Sequence, residues 1–283
     1  MSLKTTLIDV AALAALAAGD ALIVDCRFEL SDPAGGERAW RAGHIPGAVY
    51  ASLDRDLSDL SRQGQGLGRH PLPLEEAFNR TLAAWGWRPG MQVVAYDAHG
   101  GALAAARLWW LLRLLGVPAA VLDGGYQAWV DAGQPVETGA ASARTPTSVD
   151  RHYDAQQVLT DHRRLLDTSA QQLLDARAAP RFRGDEEPLD RVGGHVPGAR
   201  NRPFADNLDA SGRFKSPAQL RTEFAAVLGD VPASHVVHMC GSGVTACHNL
   251  LAMEHAGLTG SRLYAPSWSG WVSDPSRPVA TGS

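Results

Sequence analysis

The chain has 283 residues, 26 Lys+Arg against 30 Asp+Glu, and a net charge of −4. At 45% hydrophobic and 20% charged it can bury a core, or two, which excludes a disordered or low-complexity chain. The mildly acidic balance argues against a nucleic-acid partner, no apolar run approaches the ~20 residues of a membrane span, and three cysteines without a C-x-x-C pair (Cys26, Cys240, Cys247) make neither a disulfide scaffold nor a structural zinc site.

In chain order, residues 7–18 are apolar and follow Lys4, the outline of a signal peptide. Asp9 interrupts them, and text running into Gly19 and Asp20 fits a short helix before a strand. Residues 21–25, 92–96 and 119–122 are apolar runs of strand length, and 74–85 and 101–115 carry helical spacing. Residues 134–149, rich in Ala, Ser, Thr and Pro without periodicity, have linker composition. Beyond them, 173–175, 235–239 and 262–264 are predicted strands, and 217–228 and 243–255 predicted helices. Apolar strands between amphipathic helices predict an α/β fold, a mostly parallel sheet with helices on both faces. Ligands of such sheets bind outside the strand C-terminal ends, where Asp97 and Cys240 both stand. Reduced thiols make the cytoplasm the default compartment.

The chain also repeats itself. Leu22-Ile-Val-Asp-Cys-Arg27 is echoed by Leu173-Leu-Asp-Ala-Arg177, and Gly43-His-Ile-Pro-Gly-Ala48 by Gly194-His-Val-Pro-Gly-Ala199. The offsets are 150 (Asp25 to Asp175), 151 (His44 to His195), 143 (Asp97 to Cys240) and 142 (Trp129 to Trp271). Four landmarks in one order mean two copies of one domain. The expected division is 1–138, a linker over 139–152, and 153–283. His44 and His195 occur in both copies, so they are expected to be internal fold contacts with Asp25 and Asp175. Trp109 and Trp110 are expected to pack a helix face.

In the second copy a strand ends at Cys240 and Gly-Ser-Gly-Val-Thr follows before a helix. Gly241 and Gly243 let backbone N–H groups converge on one point, and the helix N-terminus adds positive potential there. A thiol so placed ionises more readily and holds an anionic persulfide. Cys26 lacks the glycines and Cys247 lies two turns into the helix, so both are expected to pack.

The Asp-x-Arg after the first strand of each copy, the two Gly-His-x-Pro-Gly-Ala turns and the Cys-Gly-Ser-Gly-Val-Thr-Ala loop resemble the tandem-domain rhodanese-type sulfurtransferases, over almost the whole chain. The resemblance implies two rhodanese-like domains, a non-catalytic first copy with Asp97 in place of the cysteine, and a catalytic second copy. The loop looks like that of the 3-mercaptopyruvate branch; the thiosulfate branch places basic residues after the cysteine. The implied activity moves sulfur from 3-mercaptopyruvate through a Cys240 persulfide to cyanide or a thiol such as reduced thioredoxin, with no cofactor. Carried over residue by residue, Cys240, Ser242, His70 and Asp54 are the catalytic set. Asp56 rivals Asp54, and the His and Asp are donated from the first domain. Arg181 and Arg191 bind the donor carboxylate, with Arg183 as a substitute, and Gly241, Gly243, Val244 and Thr245 line the loop. Trp268 walls the pocket or packs the core. Tyr264-Ala-Pro-Ser departs from the family's more usual Tyr-Asp-Gly-Ser.

Two other activities use the same cysteine. Thiosulfate-to-cyanide transfer needs compensating positive charge at the loop, and a persulfide carrier needs a protein partner. A cysteine phosphatase needs Cys-x5-Arg, and residue 246 is alanine.

Overall fold

The computed structural model describes residues 3–16, 19–141, 144–159, 161–166 and 171–282. They form two compact units: Met1–Asp59 with Pro73–Asp154 and Ala210–Phe214, and Leu60–Leu72 with Ala155–Asp209 and Lys215–Ser283.

In the first unit the order is β1 (Leu7–Ile8), α1 (Val10–Ala14), β2 (Ala21–Asp25), α2 (Gly35–Ala42), β3 (Val49–Tyr50), α3 (Glu75–Ala84), β4 (Gln92–Tyr96), α4 (Ala104–Leu114), β5 (Ala119–Leu122) and α5 (Gly125–Asp131). The strands form one sheet in the order β1-β5-β4-β2-β3, every pair parallel. The three predicted strands are the three central ones, because strands covered on both faces are apolar throughout. β1 and β3 are two-residue edges, too short to show a period. Asp9, which breaks the apolar run near the N-terminus, caps α1 by accepting the N–H of Ala12 at 2.7 Å. The last two residues of that predicted segment, 17–18, lie outside the described residues.

The second unit repeats the plan with β6 (Val158–Leu159), α6 (His162–Leu165), β7 (Gln172–Asp175), α7 (Ala179–Arg183), β8 (Arg200–Asn201), α8 (Pro217–Leu228), β9 (Val236–Met239), α9 (Ala246–His255), β10 (Arg262–Tyr264) and α10 (Ser267–Trp271). Its sheet order is β6-β10-β9-β7-β8, again all parallel. β9 is buried at every residue, and Val237 pairs with Leu173 on one side and Arg262 on the other. Leu173, Val237, Met239, Trp268 and Trp271 share one apolar core.

The repeated motifs make the same bonds twice. Arg27 Nη2 donates to Gly43 O at 2.6 Å and its Nε grips Asp25; Arg177 Nη2 donates to Gly194 O at 2.7 Å and its Nε grips Asp175. His44 Nδ1 lies 2.8 Å from Trp40 O, and His195 Nδ1 lies 2.8 Å from Phe182 O. These contacts tie each Gly-His turn to the helix before it. Linker-like composition does not mean a loose chain here: Glu137 exchanges backbone bonds with His44, and Thr147 donates to Ala83 O and Trp87 O.

α4 and α9 begin three residues later than their spacing predicts, at Ala104 and Ala246 rather than 101 and 243. Both delays have one cause. The residues after β4 and β9 turn N–H groups back toward the side chain at the strand end before helical bonding starts.

Candidate active site

β9 carries Cys240 to the C-terminal end of the second sheet. Its Sγ accepts the N–H of Gly243 at 3.2 Å. Its own N–H donates to Ser267 Oγ at 3.2 Å, and its carbonyl accepts the N–H of Trp268 at 2.9 Å. Gly243 makes this bend at φ +78°, and a Cβ there would sit 2.4 Å from Ala265 O. Ser267 is the one non-glycine residue at positive φ among the described residues, and its hydroxyl also donates to Tyr264 O. The corresponding residue of the first unit is Gly125, also left-handed at +61°. Ser267 thus accepts a conformation that costs an L-residue about 1–2 kcal/mol and gains a hydroxyl under the cysteine.

The first unit shows what this bend holds. Asp97 occupies the position of Cys240, and its carboxylate accepts the N–H groups of His99 and Gly101, each at 2.8 Å, of Leu103 at 3.2 Å and of Ala105 at 3.3 Å. Burial pushes Asp97 up while these amides pull it down, and burial wins. In the first copy the bend aims four N–H groups at the carboxylate, and in the second the N–H of Gly243 reaches the sulfur.

Cys240 is 1% exposed and Ser242, two residues on, 7%. Ser242 Oγ lies 2.8 Å from His70 Nδ1. The segment carrying His70, Leu60–Leu72, belongs to the second compact unit although it precedes β4 in the chain. Asp54 and Asp56 belong to the first unit. Burial raises Asp54, whereas Asp56 accepts the N–H of Ser52 at 2.8 Å and pairs with Arg55 at 3.0 Å.

Arg181, on α7, gives Nη2 to Glu187 Oε1 at 2.6 Å and Nε to Glu187 Oε2 at 3.1 Å. Burial works to raise Glu187, but Arg181 and the N–H groups of Leu189 and Asp190 hold its carboxyl below the usual range. Arg181 Nη1 and Nη2 lie 3.6 Å from where a Cβ on Gly241 would be. Arg191 Nη2 donates to Val272 O at 3.0 Å, and Arg183 pairs with Asp185 at the surface. Of the expected carboxylate-binding pair, Arg181 stands beside Gly241, and Arg191 bonds the carbonyl of Val272.

Val244 and Thr245 lead from the bend into α9, and their carbonyls accept the N–H groups of Cys247 and His248. Trp268 is fully buried, donates its indole N–H to Val192 O and stacks under Arg177, 4.6 Å from guanidinium carbon to ring centre. Burial works to lower Arg177, but Asp175, Glu187 and Cys240 together raise it. Cys26 is sealed in the first unit, and burial followed by the charges of Asp25, Asp97 and Asp56 pushes its thiol up. Cys247 donates its thiol to Gly243 O at 3.4 Å.

The sequence patterns do not point to four residues near the loop: Arg69, Glu187, Asp190 and Ser267. Arg69 Nη2 would be 2.9 Å from a Cβ on Gly241, and its Nη1 pairs with Asp190. Arg69 has a signal, since it immediately precedes His70. Ser267 has one too, in its alignment with Gly125. Glu187 and Asp190 have none beyond lying between the arginines.

Both halves match the same family model, the rhodanese-like domain, over residues 10–132 and 158–274. The chain belongs to the rhodanese-like family. The tandem architecture and the parallel α/β sheets are those of the family, as the motifs implied. A Pseudomonas aeruginosa relative named "Probable 3-mercaptopyruvate sulfurtransferase" is 50% identical over 274 residues, 95% of each chain. A Mycobacterium tuberculosis relative, provisionally named for thiosulfate sulfurtransfer, is 40% identical over 94% of this chain and 93% of its own. The solved structure of 3-mercaptopyruvate sulfurtransferase from Leishmania major superimposes with a TM-score of 0.83 at 32% identity, covering 94% of this chain and 73% of that one. Among the described residues no helix is long and apolar enough to cross a membrane.

Proposed function

We propose that the chain is a sulfurtransferase that takes sulfur from 3-mercaptopyruvate. The thiolate of Cys240 attacks the donor sulfur, an S–S bond forms, and the C–S bond breaks with its electron pair passing to the enolate of pyruvate. A proton then converts the enolate to pyruvate, and Cys240 is left as a persulfide. An acceptor thiolate attacks the outer sulfur, carries it away, and returns Cys240 to the thiolate. Storing the sulfur covalently divides one difficult step into two.

The observation that carries this proposal is the Gly243 N–H aimed at Cys240 Sγ beside the Ser242–His70 pair. The amide favours negative charge on sulfur, and the serine and histidine are a proton path for the departing enolate. Asp54 is proposed as the carboxylate of the catalytic set, and Gly241, Val244 and Thr245 to line the loop. The first copy, 1–138, is proposed to be non-catalytic, joined by 139–152 to the catalytic copy, 153–283. Reduced thioredoxin, or cyanide in vitro, is the proposed acceptor, and the cytoplasm, where thiols stay reduced, the proposed compartment.

Thiosulfate is the second donor to weigh, because guanidinium groups do lie beside Gly241. Their charge is matched by Glu187 and Asp190, which suits a monoanionic donor better than a dianion. Intact-mass spectrometry after exposure to each donor tests the proposal. One added sulfur with 3-mercaptopyruvate, absent in Cys240→Ser, supports it; faster turnover with thiosulfate overturns the donor assignment. A protein that loads sulfur but turns over slowly with every small acceptor is a carrier.

A further inference from the structure

Arg69 reaches the catalytic loop from a segment remote in sequence. Its backbone N–H donates to Ser269 Oγ at 3.0 Å, and Ser269 in turn donates its N–H to Gly241 O at 2.9 Å, so the base of the side chain is tied to the loop. Its Nη1 is paired with Asp190 Oδ1, and the other oxygen of Asp190 lies 3.4 Å from Arg181 Nη2. One carboxylate thus tethers two guanidinium groups. Both groups lie over Gly241, the residue directly after the cysteine, at 2.9 Å for Arg69 and 3.6 Å for Arg181 from the place of an absent Cβ. Arg69 Nε–H is buried and meets no acceptor among the described residues. A buried donor without an acceptor is costly in a native fold and calls for a partner.

Resting on the 3-mercaptopyruvate assignment, we infer that Arg69 is the second guanidinium of the donor-carboxylate subsite, acting with Arg181 in the place expected for Arg191. Its planar fork matches a carboxylate in two-point pairing, which a lysine ammonium cannot reproduce. Asp190 is a positioning residue that holds both forks over Gly241.

The test compares Arg69→Ala, Arg69→Lys and Arg191→Ala with the wild type. The readouts are KM and kcat for 3-mercaptopyruvate, and competitive inhibition by pyruvate, which carries the 2-oxo acid without the sulfur. Arg69→Ala is expected to raise KM and the pyruvate inhibition constant about 10–100-fold, the size of a lost charge-assisted hydrogen bond, with kcat changed far less. Arg69→Lys keeps the charge beside Asp190 and recovers part of the loss, which a misfolded loop would not. Arg191→Ala raises KM less than Arg69→Ala does. Arg69→Ala values within about twofold of wild type, or a larger loss from Arg191→Ala, overturn the inference. A wild type that prefers thiosulfate overturns the donor assignment instead, and pyruvate inhibition still reports on Arg69.

Discussion

His70 Nδ1 lies 2.8 Å from Ser242 Oγ, a contact between residues 172 positions apart. A histidine within hydrogen-bond reach of a hydroxyl, beside a cysteine that accepts an amide N–H, is the arrangement of a relay next to a nucleophile. In the proposed reaction Cys240 forms the new bond, and the pair handles the proton the enolate needs.

His70→Ala and Ser242→Ala are each expected to lower kcat with 3-mercaptopyruvate by ~10²-fold, within the usual range for general acid–base groups. Because the two act as one unit, the double variant should lose little more than either single one. Steady-state kinetics of the three variants checks this; multiplicative losses would mean separate roles.

Arg181→Ala should raise KM for 3-mercaptopyruvate by about 10–100-fold, as a lost charged hydrogen bond does. Thiosulfate turnover should fall less, since thiosulfate brings no carboxylate. An equal loss with both donors would assign Arg181 to holding Glu187 and the turn to Asp190.

Asp97→Ala is expected to lower the stability of the first unit by at least ~2 kcal/mol, because backbone donors now satisfied by its carboxylate lose a buried acceptor. Denaturant unfolding measures it. A neutral outcome would mean that the cost of burying the charge cancels those bonds.

His238 sets a pH dependence. It is fully buried on β9 between Leu174 and Leu263, and neither ring nitrogen has a partner among the described residues. Burial pushes it from 6.5 down to about 3. Below about pH 6.5 the unfolded chain takes up a proton that the fold refuses, so this residue's contribution is intact above 6.5 and is lost as pH falls toward 3. His238→Leu should flatten the acid limb of stability and add about 1–3 kcal/mol by removing two unsatisfied nitrogens. Unfolding at pH 4 and pH 7, compared between the two proteins, reads both effects; an unchanged acid limb refutes the assignment.

Much of the molecule is written locally. The central strands, the helix over 217–228 with its Ser216 cap, the doubling of the domain and the Cys240 bend are all legible in the order of residues, because each depends on near neighbours or on a pattern that recurs at one offset. Other features depend on directions in space. Two-residue edge strands exist only because a finished strand is there to pair with. Ser267 tolerates a left-handed backbone because its hydroxyl meets the N–H of Cys240. Arg191 and Arg69 look alike as letters in loops, yet one faces Val272 and the other reaches over Gly241, tethered by Asp190. Local order thus determined the elements and the Cys240 bend, while long-range packing alone decided which charges gather over Gly241, since a flexible side chain points where distant partners draw it.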